Sequence, residues 1–285
     1  MRRMILPALL AVAAGAYAAD ESRWRYEDHE TMQRNFTLNS GSDPKKLLVD
    51  NISGEIHVTG YTGSEIRMTA TRRNRAESQA ALDEAKRDVK LDISQQGNFV
   101  RLYVDGPFRN GNGINYRGDD YYGYHVYFEY ELQVPMETEL ILKTLNSAID
   151  VKKSSGDFDV HTLNGRIDMS EISGSGSANT LNGKMTVAFT KNPAKASKFH
   201  TLNGSIDVYF QPGLNADLQF QTLNGGVWSD FDVSPLPSPG VASQNGNWKF
   251  VYRSDRNQRA RVGNGGPELS FNTLNGPIRL HSKAL

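Results

Sequence analysis

The stretch HTLNGRIDM (161–169) recurs with two residues changed as HTLNGSIDV (200–208). Its centre, TLNG, stands at 162–165, 180–183, 201–204, 222–225 and 273–276, with a near-copy, TLNS, at 144–147. The leucines fall at 145, 163, 181, 202, 223 and 274, so the steps are 18, 18, 21, 21 and 51 residues. A period near 20 predicts stacked repeats. Within one unit, SIDVYF (205–210) alternates apolar and polar side chains, QPGLN turns the chain, and ADLQFQT (216–222) alternates again. Period-2 alternation bounded by Gly, Pro and Asn is strand and turn chemistry.

Asn-Gly suits tight corners because both residues tolerate positive φ. Alone it is also a hairpin signal, so a meander of antiparallel hairpins is the competing reading. A hairpin does not need Thr-Leu before every Asn-Gly, whereas stacking at about 4.8 Å rewards repetition of all four residues. The expectation is therefore an all-β chain with one short helix: a β-solenoid or β-roll of two-strand coils with a period of 18–21. Leu is expected in the interior of each coil. The corner amides of Asn146, Asn164, Asn182, Asn203, Asn224 and Asn275 are expected to ladder.

Outward from the repeats, KLLVDNISGEIHVTGY (46–61) reads as a degenerate coil, and EIRMTAT (65–71), FVRLYV (99–104) and YHVYFEYELQVP (124–135) read as strands. AESQAALDEAKRDVK (76–90) is the helix, with Ala81, Ala85 and Val89 on one face. Its expected place is across the open end or a flank of the stack, hiding a sheet edge. The 51-residue step is one coil plus an insertion at about 229–266, with Pro-rich VSPLPSPG (233–240) and NWKFVYRSD (247–255) as a strand of an extended hairpin.

The first 18 residues, MRRMILPALLAVAAGAYA, have two Arg, an apolar run and an A-x-A site, the layout of a secretory signal peptide. The run is short of the roughly 20 residues of a spanning helix. Residues 19–45 form an N-terminal segment and 46–285 a single solenoid domain. Beyond residue 18 the chain carries 30 basic and 32 acidic side chains, no footprint for nucleic acid. It has no Cys, hence no disulfide and no lipid anchor at the cleavage site, and no second apolar stretch able to span a bilayer. A periplasmic or extracellular location follows.

The N-I-S-G-x-I-x-V start, the helix followed by paired strands, and the serial T-L-N-G-x-I-x-V units resemble the putative-adhesin family of bacterial envelope proteins, over roughly residues 46–285. The resemblance implies a β-solenoid on an exported or envelope-facing protein. It brings no catalytic motif to any numbered position.

Equivalent positions of the repeats form columns. Two residues before each Leu stand Lys143, His161, Asn179, His200, Gln221 and Asn272, all polar. His161 and His200 lie two coils apart, about 10 Å, too far to share a zinc ion bound at about 2.1 Å. A second column holds Asp150, Asp168, Thr186, Asp207, Trp228 and Arg279. Paired carboxylates there could bind calcium or do acid–base work, but Arg166 and Lys152 are placed to neutralise them. No metal or cofactor is expected. GNGINYRGDDYYGYHVYFEY (111–130) crowds six tyrosines into a Gly-rich loop and the next strand. Tyr offers large contact area at low entropic cost, so Tyr116, Tyr121, Tyr122 and Tyr124, with Trp228 and Trp248 around the insertion, are the candidate ligand-binding residues. Core packing of the strand is the alternative. Arg117-Gly118-Asp119 is a short string expected by chance. No nucleophile elbow, Walker loop, dinucleotide fingerprint or H-E-x-x-H occurs.

The function expected is a structural or binding module at the envelope, with a glycan or protein partner and an open oligomeric state. The alternative is a polysaccharide lyase or hydrolase built around Asp150, Arg166 and Asp168.

Overall fold

A computed structural model describes residues 23–39, 41, 43–110, 113–114, 122–236 and 257–282. Residues 1–18, where a leader is expected, lie outside them. Among the described residues the chain is nearly all β, with one helix and two large sheets of ten and eleven strands. It groups into two compact units. The smaller comprises residues up to Glu30, Arg72–Lys90 and Asp105–Tyr127; the larger comprises Thr31–Thr71, Leu91–Val104 and Phe128–Leu285.

In the larger unit the chain passes back and forth between the sheets. One sheet takes Ile149–Lys152, Ile167–Ile172, Met185–Phe189 and Ile206–Tyr209 as parallel neighbours. The other takes Glu139–Lys143, Phe158–Asn164, Gly176–Asn182 and Ser197–Asn203, again parallel and in register. Lys46–Asp50 and Ile56–Tyr61 extend both rows by one tier, pairing with Glu139–Lys143 and Ile149–Lys152. Parallel pairing is what a meander of hairpins cannot give, because consecutive hairpin strands run antiparallel.

Each residue of TLNG has its own physical reason. Thr144, Thr162, Thr180, Thr201 and Thr273 are buried. The hydroxyl of Thr162 donates to the Ser147 carbonyl (2.9 Å), Thr180 to Gly165 (2.9 Å), Thr201 to Gly183 (3.1 Å) and Thr273 to Gly204 (3.1 Å). The amide of Asn164 donates to Asn146 (2.9 Å), Asn182 to Asn164 (2.8 Å), Asn203 to Asn182 (2.7 Å), Asn275 to Asn203 (2.6 Å) and Asn224 to Asn275 (2.7 Å). Glycine is required by close approach. A Cβ on Gly165, Gly183, Gly204 or Gly225 would sit 1.9–2.0 Å from a carbonyl oxygen of the adjoining tier.

Two expectations are corrected. Leu is not in the interior: Leu163, Leu181, Leu223 and Leu274 are exposed. The strand alternates, so Thr and the residue two before it point inward, and Leu points out beside the polar column. That inward column is Leu142, Val160, Ala178, Phe199, Phe220 and Phe271, all buried. The corners also do not use positive φ at Asn; the non-glycine residues with positive φ among those described are Lys153 and Glu171.

The final units are out of sequence order. Glu268–Asn275 and Ile278–His281 sit directly against Ser197–Asn203 and Ile206–Tyr209. Ala216–Asn224 and Val227–Ser229 then flank them on the far side. The insertion contributes Asn257–Val262, antiparallel to both Ala216–Asn224 and Val233–Pro235. NWKFVYRSD lies outside the described residues.

In the smaller unit the helix is Gln79–Asp88, capped by Ser78, whose side chain accepts from the Ala81 N–H. It buries Leu82 and Ala85, with Val89 buried at its C-cap, whereas Ala81 is only half-buried. The helix is therefore shorter than 76–90; Ala85 and Val89 lie on its buried face as expected, and Leu82 rather than Ala81 completes it.

Candidate functional site

The core of the larger unit is a run of aromatic rings. Phe199 and Phe271 stack with centroids 5.3 Å apart, and Phe271 and Phe220 at 5.5 Å, because register places the three on neighbouring strands. Phe189 and Phe210 stack at 5.4 Å from the facing sheet, and Phe231 meets Phe210 edge-on at 6.3 Å. The sheets run out at Val227–Ser229 and at the hairpin, leaving a cavity of about 570 Å³. Phe220, Val227, Phe231, Val233, Leu236 and Ala260 make its apolar wall. Ser229, Gln258 and Arg259 add the polar groups. Arg259 lies 3.8 Å from Glu268.

A polar row crosses the outer face of the first sheet. Register sets Glu131, His57, Asp150, Asp168, Thr186, Asp207, Arg279 and Trp228 side by side. Arg166 spans two of them, 2.9 Å from Asp150 and 2.7 Å from Asp168. Asp207, at 6% side-chain exposure, takes Arg279 at 3.1 Å and Lys184 at 3.4 Å, and accepts from the Ser205 hydroxyl. Burial alone would raise its carboxyl, but the bonds from Arg279 and Ser205 and the charge of Lys184 outweigh it and hold the pKa below the ordinary value.

Of the residues singled out from sequence, Tyr116, Tyr121 and Trp248 lie outside the described residues. Tyr122 and Tyr124 are close, with ring centroids 5.6 Å apart. Tyr124 is buried, its hydroxyl has no hydrogen-bond partner among the described residues, and burial pushes its pKa up to about 12. A ring so enclosed packs rather than presenting itself to a ligand. Trp228 is 55% exposed, with the Arg279 guanidinium 5.6 Å from its ring. It stands on the opposite face of its strand from Val227 and Ser229, hence outside the cavity. His161 and His200 are separated by the strand bearing Asn179, and His161 is paired to Asp159 at 2.7 Å. The structure brings together Asp150, Arg166 and Asp168, as their column places them, but on a sheet face and engaged with one another.

No family model matches the chain, and no curated protein matches it. Solved structures do. One, a putative cell adhesion protein from Clostridium sporogenes, is 10% identical with a TM-score of 0.42, covering 89% of this chain and 100% of that one. A putative lipid binding protein from Parabacteroides distasonis is 11% identical at a TM-score of 0.27, covering 88% and 96%. A putative adhesin from the same organism is 7% identical at 0.26, covering 88% and 97%. Those names belong to those proteins, and the site here stands on its own geometry. Among the described residues no helix is long and apolar enough to cross a membrane.

Sequence reasoning missed the cavity lining and the strand Asn257–Val262. The alternation in NQRARV, with Ala260 and Val262 inward, is short and interrupted by Arg. It also passed over His57, because the degenerate coil at 46–61 was not aligned with the column that contains it.

Proposed function

We propose that the chain is an exported envelope protein that acts as a binding module on a β-solenoid scaffold. The parallel, in-register strands of successive TLNG units support the solenoid reading, and the leader-like residues 1–18 support export. The observation that carries the binding role is the cavity of about 570 Å³ at the end of the aromatic core. A concave pocket of that size with an apolar wall and a few polar groups, open to solvent on one side and set beside a stacked core, is the form in which ligand sites generally occur. The occupant that fits has an apolar body and one polar end directed at Ser229 and Gln258.

The test is titration of the folded chain with medium-chain fatty acids, envelope glycans and peptidoglycan fragments, followed by calorimetry. Amphiphile binding lost in Ala260→Phe, which fills the cavity, and retained in Trp228→Ala, on the opposite face, is the expected result. A folded chain that binds none of the three classes, or binding unchanged in Ala260→Phe, refutes the reading.

A further inference from the structure

The polar row on the first sheet treats its carboxylates unequally. Asp207 has two cations beside it, Arg279 and Lys184, and the His281 ring 3.7 Å away. Near the other end of the row, Asp150, Asp168, Glu55 and Glu131 share a single arginine. Arg166 places its guanidinium against Asp150 at 2.9 Å and Asp168 at 2.7 Å. One guanidinium does not balance four carboxylates, and the imidazole of His57 lies beside Glu55 and Glu131.

The orientation of that imidazole is fixed. His57 Nδ1 is 3.0 Å from Asp150, whose side chain is 15% exposed and held by Arg166. The contact to Asp150 points Nε2 at the two glutamates. Nε2 is 3.1 Å from Glu55 Oε2 and 4.0 Å from Glu131 Oε1. Two ligands of one ion at about 2.0–2.2 Å stand roughly 2.9–3.4 Å apart, so His57 and Glu55 are already spaced for a shared ion. Glu131 must close by roughly 0.6–1.1 Å on Nε2 and draw toward Glu55 as well, since it stands outside the group that Glu55, His57 and Asp150 form within 4.8 Å; its side chain is 73% exposed.

We propose that His57 Nε2, Glu55 and Glu131 bind one divalent transition-metal ion of the zinc class, with Asp150 as the positioning residue. Two carboxylates and a neutral imidazole balance a 2+ charge. A carboxylate accepting from the other ring nitrogen of a ligating histidine is the usual support for such a site. An imidazole among the ligands favours zinc over calcium, which takes oxygen donors. Three protein ligands leave a position for water or a further ligand atom. A row of charges that otherwise only solubilises the sheet thereby acquires a local metal centre.

The test uses the untagged full chain, stripped of metal and titrated calorimetrically with Zn²⁺, Mn²⁺ and Ca²⁺. His57→Gln, Glu131→Gln and Asp150→Asn are measured beside His161→Asn, a control on the other sheet. All four side chains lie on outer faces, and circular dichroism and melting verify each fold. The expected result is one Zn²⁺ per chain in the wild type and in His161→Asn. Affinity should fall at least tenfold in His57→Gln and Glu131→Gln, and about 10–100-fold in Asp150→Asn. Zn²⁺ should raise the melting temperature of the wild type and not of His57→Gln. A folded wild type that binds no zinc, binding undiminished in His57→Gln, or calcium bound as tightly as zinc overturns the proposal. None of these residues lines the cavity, so that failure and the failure of the amphiphile reading are separate results.

Discussion

Replacing Gly183 by alanine tests why every corner ends in glycine. The added Cβ would lie 2.0 Å from the Gly165 carbonyl oxygen and 2.6 Å from its carbon. Ordinary C···O approaches are about 3.3 Å or more, so the two tiers must part locally by more than about 1 Å. The bonds crossing that gap include Thr180 to the Gly165 carbonyl at 2.9 Å and Asn182 to Asn164 at 2.8 Å. The Ile167 N–H to the Lys184 carbonyl, at 3.0 Å, crosses it as well. An extra 1 Å takes all three beyond hydrogen-bonding range. At about 1 kcal/mol each the loss is about 3 kcal/mol. For a unit of this size that is roughly a 6–12 °C fall in melting temperature. Urea denaturation followed by circular dichroism measures it, with Gly41→Ala as control, where a Cβ meets nothing within 4 Å. The control should be neutral or stabilised by up to about 1 kcal/mol. Gly183→Ala within about 1 kcal/mol of wild type would refute the close-approach account of TLNG.

Two further outcomes follow from the polar rows. Asp207 has a folded-state pKa below its ordinary value, so its stabilisation is present above about pH 4 and is lost as pH falls through the folded pKa. Asp207→Asn should therefore cost about 2 kcal/mol at pH 7, and the gap to wild type should narrow below pH 4 in paired denaturation curves. Asn182→Asp keeps an acceptor for Asn203 but, when ionised, cannot donate to Asn164. It should be about 1–2 kcal/mol less stable than wild type at pH 7 and closer to it at pH 3, where the carboxyl regains a donor; a deficit that grows on acidification contradicts the ladder.

The all-β class was legible because SIDVYF and its counterparts alternate so regularly. The face was misjudged for Leu, and the sequence held the correction: His161 and His200 stand two residues before Leu163 and Leu202, so leucine shares their outward side. Thr was easy to pass over as a core residue because its burial depends on a carbonyl of the next tier, which no local pattern shows. The site was harder. His57 and Glu131 meet across strands 74 residues apart in the chain, joined by register alone. The cavity depends on where the sheets stop, and that is set by pairings of the hairpin rather than by any single residue.

The spatial order of the last units has a consequence for how the molecule is assembled. Residues 268–281 occupy an inner tier, between 197–209 and 216–229, although they come last. Deleting them would not shorten the stack from its outer end; it would extract a slab from within it. A chain delivered amino-end first therefore holds Ser197–Asn203 and Ile206–Tyr209 as open template edges until its closing strands arrive. Unpaired edges of that kind invite pairing with other chains, so the interval before closure is the time of greatest exposure to aggregation.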